Sequence, residues 1–437
     1  MVNDDDSGKW RAYAETGLIL VGLVGLGFLM PHNVLGDALA RYKALDQFIH
    51  TGVLNDDPHP IIGHLFSLPA YLLNNPKPVV EQYNLVLFAV ALGWTYWLLR
   101  DRVDPALTRR FFLVLIVGSM FPAHLSQYNS EPLTALAVGV GLMAVAMRAH
   151  GGWTAIAIGV ANTPAALGGL ALVVLRKIWQ DRRLRYVLVG VAAVALIALE
   201  NWVRRGSPLD SGYNGLAGFK TVMPYSGLPG FSYPFLFGLL SIMLSFGKGL
   251  VFFAPGILLP VRSLLRRAGL WDAYALWLLF LAGLVIAYAK WWSWNGGFTW
   301  GPRFFLFAAI PASLAVAALL WRPSERLWLN LFALVVWGLS TWVGICAAVY
   351  FDARDLTVCK SHNFQLEVLC NYTPDFSVLW YPLVRHLPAH WYGALWILFS
   401  AIVFAYLAMP LIARTLSQLN AALARLIHSA RSTRWRF

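Results

Sequence analysis

Hydrophobic positions in this chain fall into long blocks rather than short alternations. Apolar runs cover about Thr16–Met30, Asn84–Leu99, Phe111–Pro122, Leu133–Met147, Gly152–Leu175, Tyr186–Val203, Phe235–Val261, Trp271–Ala289, Phe304–Leu320, Leu327–Tyr350 and Trp391–Leu411. A helix needs roughly 20 apolar residues to cross a bilayer. The strands of a membrane β-barrel would instead alternate over about ten residues. Gly152–Leu175 is broken by Asn162-Thr163-Pro164 and has basic residues at both ends, so the pattern predicts a hairpin of two short helices. Broken backbone at membrane depth needs protein or water around it, so this hairpin is expected to face a cavity. The fold class is an all-α polytopic membrane protein of about twelve membrane segments, the hairpin counted as two.

The polar connections sort by charge. Arg100, Arg102, Arg109 and Arg110, then Arg148, the run Arg176, Lys177, Arg182, Arg183 and Arg185, then Arg262, Arg266 and Arg267, and Arg322 and Arg326 all fall on one side, with the tail residues Arg414, Arg425, Arg431, Arg434 and Arg436. The positive-inside rule makes that side cytoplasmic and puts both termini there. Four loops remain for the outside: Pro31–Tyr71, Arg204–Tyr233, Lys290–Arg303 and Phe351–Ala389. Residues 1–414 then form one transmembrane domain. Residues 415–437 form a basic amphipathic tail, expected on the anionic inner leaflet. The N-terminus, MVNDDDSGKWRAYAE, has no basic region and no small-residue cleavage site, so the first segment reads as an uncleaved span.

Composition changes this picture little. The chain has 437 residues, 13% of them charged, about half the share of a soluble domain. A net charge of +13 would suggest nucleic acid in a soluble protein. Here it belongs to the membrane loops, so no nucleic-acid partner is expected and membrane lipid is. Of three cysteines, Cys346 sits in an apolar run, and Cys359 and Cys370 share an outer loop. A disulfide between them is expected on compartment grounds, two free thiols being the other reading.

Candidate chemistry gathers in the first outer loop. It holds Asp37, Asp46, Asp56 and Asp57 of 21 acidic residues, and His32, His50, His59 and His64 of ten histidines. After Asp37, ALARYKALDQFI has helical spacing with an apolar face of Leu39, Leu45, Phe48 and Ile49, which suits a helix lying along the membrane. Asp37 would be its N-cap, with Arg41, Tyr42 and Lys43 close by. A plain cap is the alternative to a catalytic carboxylate. Glu131 opens a span, with His124 and Tyr128 in the same short turn. Acids at membrane depth are costly and tend to be functional, although a first-turn acid also complements the helix dipole. Lys248 lies about 20 Å of helix from Arg262, between Gly247 and Gly249. An anion such as a lipid phosphate is its expected partner, snorkelling the alternative. In the stretch WWSWNGGFTWGPRFF, Arg303 opens a span, and a guanidinium grips phosphate in a bidentate manner. Lys290, Trp294 and Asn295 precede it, and Asn295-Gly296-Gly297 reads as a turn that a substrate can approach.

These residues resemble a family. An Asp in the first outward loop, a Glu at the outer end of a later span and the late stretch WNGGFTWGPR ending at Arg303 resemble the GT-C class of membrane glycosyltransferases. Leu244–Pro255, LSFGKGLVFFAP, is similar to the S-x-G-K-G-L-x-x-x-x-P run of the bacterial branch related to protein O-mannosyltransferases and aminoarabinose transferases. Ser130-Glu131-Pro132 and the Asn162-Thr163-Pro164 hairpin are similar to that branch as well. The resemblance implies transfer of a sugar from a polyprenyl-phosphate donor to an acceptor hydroxyl, at the periplasmic face of a bacterial plasma membrane. It implies Asp37 as general base, with Glu131 as a second catalytic acid. Lys248, Arg303 and Lys290 would hold the donor phosphate. Arg41, Tyr42, His124, Tyr128, Trp294 and Asn295 would meet the substrates. Such a displacement inverts the anomeric carbon and needs no cofactor.

Two departures stand out. Many relatives pair two acids in the first loop, but Ala38 follows Asp37, which leaves a divalent metal unsupported. Many also carry a soluble outer domain at the C-terminus, so acceptor recognition here falls to the outer loops. Mannose, glucose, galactose, arabinofuranose and aminoarabinose donors all fit, as do lipid-linked glycan, lipopolysaccharide, cell-wall and protein acceptors. The rival classes are an O-antigen-ligase-like enzyme and a lipid-linked sugar transporter or flippase. Polar residues gathered on one side disfavour the transporter.

Overall fold

The computed structural model describes residues 4–297, 299–351 and 357–433. Among these there are helices and no β-strand, only the isolated bridges Asn33–Gln127 and Ala217–Pro229. Six helices among the described residues are long and apolar enough to cross a membrane: Gly8–Phe28, Leu184–Arg205, Trp271–Ala289, Arg303–Trp321, Leu327–Val349 and Trp391–Leu426. This is the architecture of a helical membrane protein with several spans.

Four apolar helices are shorter than a bilayer core: Tyr83–Leu99, Glu131–Ala146, Gly152–Ala161 and Phe235–Leu244. The clearest departure from the block pattern is Phe235–Val261, which reads as one span. The structure breaks it into a ten-residue helix, an extended Ser245 and Gly249, a four-residue helix at Leu250–Phe253 and a 3-10 turn at Pro255–Leu258. The break falls at Ser245-Phe246-Gly247-Lys248-Gly249, where a buried cation and two glycines interrupt the helical repeat. At the other extreme, Trp391–Thr433 is one helix of 43 residues, about 65 Å long. The tail therefore continues the last span instead of turning away from it. The helix runs on through Pro410, and Gln418 ties it to Ser324 and Asn330 at 3.0 and 2.9 Å. Of the tail cations, Arg434 and Arg436 lie outside the described residues.

The predicted hairpin forms, with Gly152–Ala161 and Leu167–Asp181 joined by a turn at Pro164–Ala166. Away from its tip the hairpin does line a cavity of about 730 Å³, through Trp153, Lys177 and Asp181, whereas the tip meets protein groups. Asn162 is buried; its Oδ1 accepts from the Gly63 amide at 2.9 Å, and its Nδ2 donates to the Ser130 carbonyl and Thr134 hydroxyl. Protein groups meet the broken backbone, which satisfies the same physical requirement.

Contacts divide the bundle into two ends. At one end, Glu15 pairs with Arg109 at 2.6 Å and Arg110 at 3.5 Å, Arg110 reaches the Leu320 carbonyl, Trp321 reaches Asp104, and Arg414 pairs with Glu325. At the other end the four predicted outer loops meet. Asp37 pairs with Arg303, Arg204 clamps Asn55–His59, the Trp292 amide donates to Gly230, and the Val222 amide donates to Gln365.

Candidate functional site

The first outer loop folds on a small core of its own, formed by Val34, Ala38, Leu45, Ile61, Tyr71, Val80 and Tyr128. Its helix, Asp37–Thr51, buries Ala38, Arg41, Ala44 and Leu45. This face is rotated from the expected one: Ile49 is exposed, and Leu39 and Phe48 are half-buried. Asp37 is the first helical residue, not the N-cap. Gly36 holds the cap position with φ +57°, a region that favours glycine. The Asp37 side chain caps no amide, so the plain-cap role falls and its carboxylate is available to other groups.

Those groups are His59 and Arg303. Asp37 Oδ2 lies 2.8 Å from Arg303 Nη1, and Oδ1 lies 3.4 Å from His59 Nε2. His59 Nδ1 is 2.6 Å from Asp57 Oδ1, which also accepts the His59 amide. The result is a carboxylate–imidazole–carboxylate chain, Asp37–His59–Asp57. The Asp57 contact favours the proton on Nδ1 and turns Nε2 to Asp37. Arg204 braces this segment, donating to the carbonyls of Asn55, Asp57 and His59, while Glu200 accepts from Arg204 and from the Ile61 amide.

Burial alone would raise the Asp37 carboxyl. The His59 contact and the charges of Arg303, His59 and Arg41 outweigh it and hold the carboxyl far below the usual carboxylate range. Asp57 is likewise lowered: burial pushes it up, but the bonds from His59 and the Arg204 charge win. Burial pushes His59 down, yet its bonds to Asp37 and Asp57 outweigh that and the opposing Arg41 charge, so it is raised. The signs define a pH window. The His59 contribution is present in full below its ordinary value of about 6.5 and is lost as pH rises through the raised folded value. The two aspartate contributions are present above about 4 and are lost as pH falls through their lowered values. Exchange of the Asn55, Asp56, Asp57, His59 and Ile61 amides, corrected for intrinsic rates, should be slowest between about pH 4 and 6.5. His59→Gln should remove the alkaline limb; an unchanged profile in that variant would refute the pairing.

Arg303 carries the site inward. Its Nε lies 3.5 Å from Glu131 Oε1, and its side chain is largely buried. Gly296, at φ +74°, passes so close that an added Cβ would sit 2.8 Å from Arg303 Cγ. Glu131 Oε2, His124 Nε2 and Trp300 Nε1 are buried without partners among the described residues, and His124 and Trp300 meet edge-on at 6.3 Å. Unpaired buried polar atoms cost about 1–3 kcal/mol each, so their gathering beside Arg303 marks a ligand site more than a packed core. Asp37, Gln127, Asn129, Lys248, Trp300, Arg303 and Glu367 line one cavity of about 500 Å³.

Lys248 is placed differently from expectation. Its Nζ donates to the carbonyls of Gly297, Thr299 and Gly301 at 3.1, 2.6 and 2.9 Å. Its three protons are thus spent on the loop that carries Arg303. The flanking glycines serve backbone packing. A Cβ on Gly247 would sit 1.8 Å from the Cys370 carbonyl, and one on Gly249 2.4 Å from that of Ser245.

The remaining sequence candidates divide. Arg41 is buried beside the site, donating to the Pro60 carbonyl and the Ser130 hydroxyl, with Nη1 unpaired. Tyr42 is half-buried and packs on Tyr71 at 5.3 Å. Tyr128 is fully buried in the loop core and bonds Ser67 at 2.5 Å, so it does not face the cavity. Trp294 and Asn295 line a neighbouring cavity of about 150 Å³ that shares Gly297, Glu367 and Asn371 with the first; Asn295 Oδ1 also accepts from the Gly297 amide. Lys290 is exposed at a helix end and lines neither. Cys359 and Cys370 form a disulfide, Cα atoms 6.0 Å apart. Among the described residues no group of three His, Cys, Asp or Glu side chains is placed to hold a metal ion.

Sequence reasoning missed His59, Asp57, Arg204 and Glu367. The first two were visible as part of an acidic, histidine-rich loop, but nothing in the spacing joined Asp37 to a residue 22 positions on.

Fold and site together describe a multi-pass helical membrane protein with an acid-and-guanidinium cavity where its loops converge. Comparison with protein-family models, curated proteins and solved structures finds no match to this chain.

Proposed function

We propose that this protein is a membrane glycosyltransferase, moving a sugar from a polyprenyl-phosphate donor to an acceptor hydroxyl on the outer face, with both termini cytoplasmic. The observation that carries the reading is the pairing of Asp37 with Arg303 on the wall of one cavity. Such a transfer needs one base, one phosphate-binding cation and positioning. A lipid phosphate is already a leaving group, so no nucleotide-binding fold is called for.

The acceptor oxygen bonds to the anomeric carbon as its proton passes to Asp37. The anomeric C–O bond to phosphate breaks, and its electron pair leaves with the polyprenyl phosphate. Arg303 neutralises that charge. A carboxylate held this ionised is a weak base while Arg303 grips it. Donor phosphate draws the guanidinium away and frees Asp37 to take the proton, with His59 keeping it aimed. Glu131 retains Arg303 in the cavity during the exchange. Lys248 acts by fixing the Gly297–Gly301 backbone.

Binding tests the phosphate assignment before any turnover is known. Arg303→Gln should weaken binding of polyprenyl phosphate about 10–100-fold, the worth of a charge-assisted bidentate contact. Asp37→Asn should bind at least as well as the unsubstituted chain. Equal binding by Arg303→Gln would remove Arg303 from the phosphate site.

A further inference from the structure

The end of the bundle away from Asp37 holds a cavity of about 730 Å³ that the transfer reaction does not use. The short helices Gly152–Ala161 and Leu167–Asp181 and the start of Val187–Arg205 enclose it with the end of Glu131–Ala146. Arg148, Lys177, Arg183 and Arg185 line it, against one acid, Asp181. That acid is already engaged, by Lys177 at 3.0 Å and the Tyr186 hydroxyl at 2.5 Å. Arg148 and Arg183 have no carboxylate within 4.0 Å among the described residues. The cavity therefore carries a surplus of positive charge at short range.

Local backbone explains why the cations converge. The Leu167–Asp181 helix ends at Arg182 in a left-handed conformation, φ +53°, and Arg183 is extended. The chain reverses there, and Arg183 and Arg185 turn back beside Lys177. Trp153 and Tyr186 pack with ring centroids 5.2 Å apart, tilted by 40°, and form an aromatic wall. Arg185 and Lys177 sit over the Tyr186 ring at 5.6 and 5.8 Å.

On one side the cavity borders apolar surface. Leu188 and Val189 line its wall, and from there Val187, Val191 and Val194 form an exposed stripe along a membrane-length helix. A cationic cup that continues into an apolar stripe suits an amphiphile better than a free anion. The phosphate would sit among the arginines, the glycerol against Trp153, and the acyl chains along the valine stripe.

We propose that this cavity is a binding site for the phosphate headgroup of an acidic phospholipid. Native mass spectrometry of the full chain, released from nanodiscs of dioleoylphosphatidylglycerol and dioleoylphosphatidylcholine in equal amounts, tests it. The unsubstituted protein should retain phosphatidylglycerol in preference. Arg183→Gln with Arg185→Gln, both exposed positions, should lower that retention about thirtyfold. Arg148→Gln serves as a milder second variant with a smaller loss in the same direction. Equal retention of the two lipids, or unchanged retention in both variants, would overturn the site. Displacement of the lipid by millimolar inorganic phosphate would overturn the lipid assignment in favour of a soluble anion. None of these outcomes depends on sugar transfer.

Discussion

Asp37→Asn is expected to lower sugar transfer about 10³-fold, the usual worth of a positioned general base, while the protein folds and binds donor lipid. The substitution keeps size and shape but removes the group that accepts the proton. Asp37 is one-third exposed and caps no amide, so little of the loop core depends on it. Arg303 keeps Glu131 as a partner and becomes freer to meet phosphate. The measurement is single-turnover release of polyprenyl phosphate, beside equilibrium binding of the same lipid. Loss of binding together with turnover would make Asp37 structural. Full activity would move the base elsewhere, and Glu131, the other carboxylate on Arg303, would be next.

Lys248→Met should act on structure instead. Its ammonium satisfies three carbonyls within the Gly297–Gly301 segment, and the side chain is buried. Methionine fills the space and leaves all three without that donor. At about 1–3 kcal/mol for each buried orphan, a total near 3–5 kcal/mol is expected after relaxation. Thermal unfolding in detergent should fall accordingly, and donor binding should weaken because Arg303 loses its footing. A fully stable variant with selectively lost phosphate affinity would return Lys248 to the role of an anion ligand.

Much of the architecture was legible because apolar length and charge sidedness are one-dimensional properties. Trp271–Ala289 is the same in pattern and structure, and the Asn162–Pro164 turn was announced by its proline and its basic flanks. What was not legible depends on where the chain returns. Phe235–Val261 looks like one span because nothing in the sequence says that Lys248 will be met by carbonyls about 50 residues later. The glycines beside it signalled close approach correctly, but Gly247 is met by the Cys370–Asn371 backbone and Gly249 by that of Ser245 in its own turn. In the site, Asp37, Glu131 and Arg303 were each readable from their positions at span ends. Their convergence, and the His59–Asp57 chain behind Asp37, come from the fold of the first loop and from Arg204, which holds that loop from another helix.

The most direct measurement is release of polyprenyl phosphate from a panel of polyprenyl-phosphate sugars by the purified chain in nanodiscs. The account predicts turnover of at least one donor, abolished by Asp37→Asn. No turnover with any donor, accompanied by movement of lipid-linked sugar across the bilayer, would contradict it.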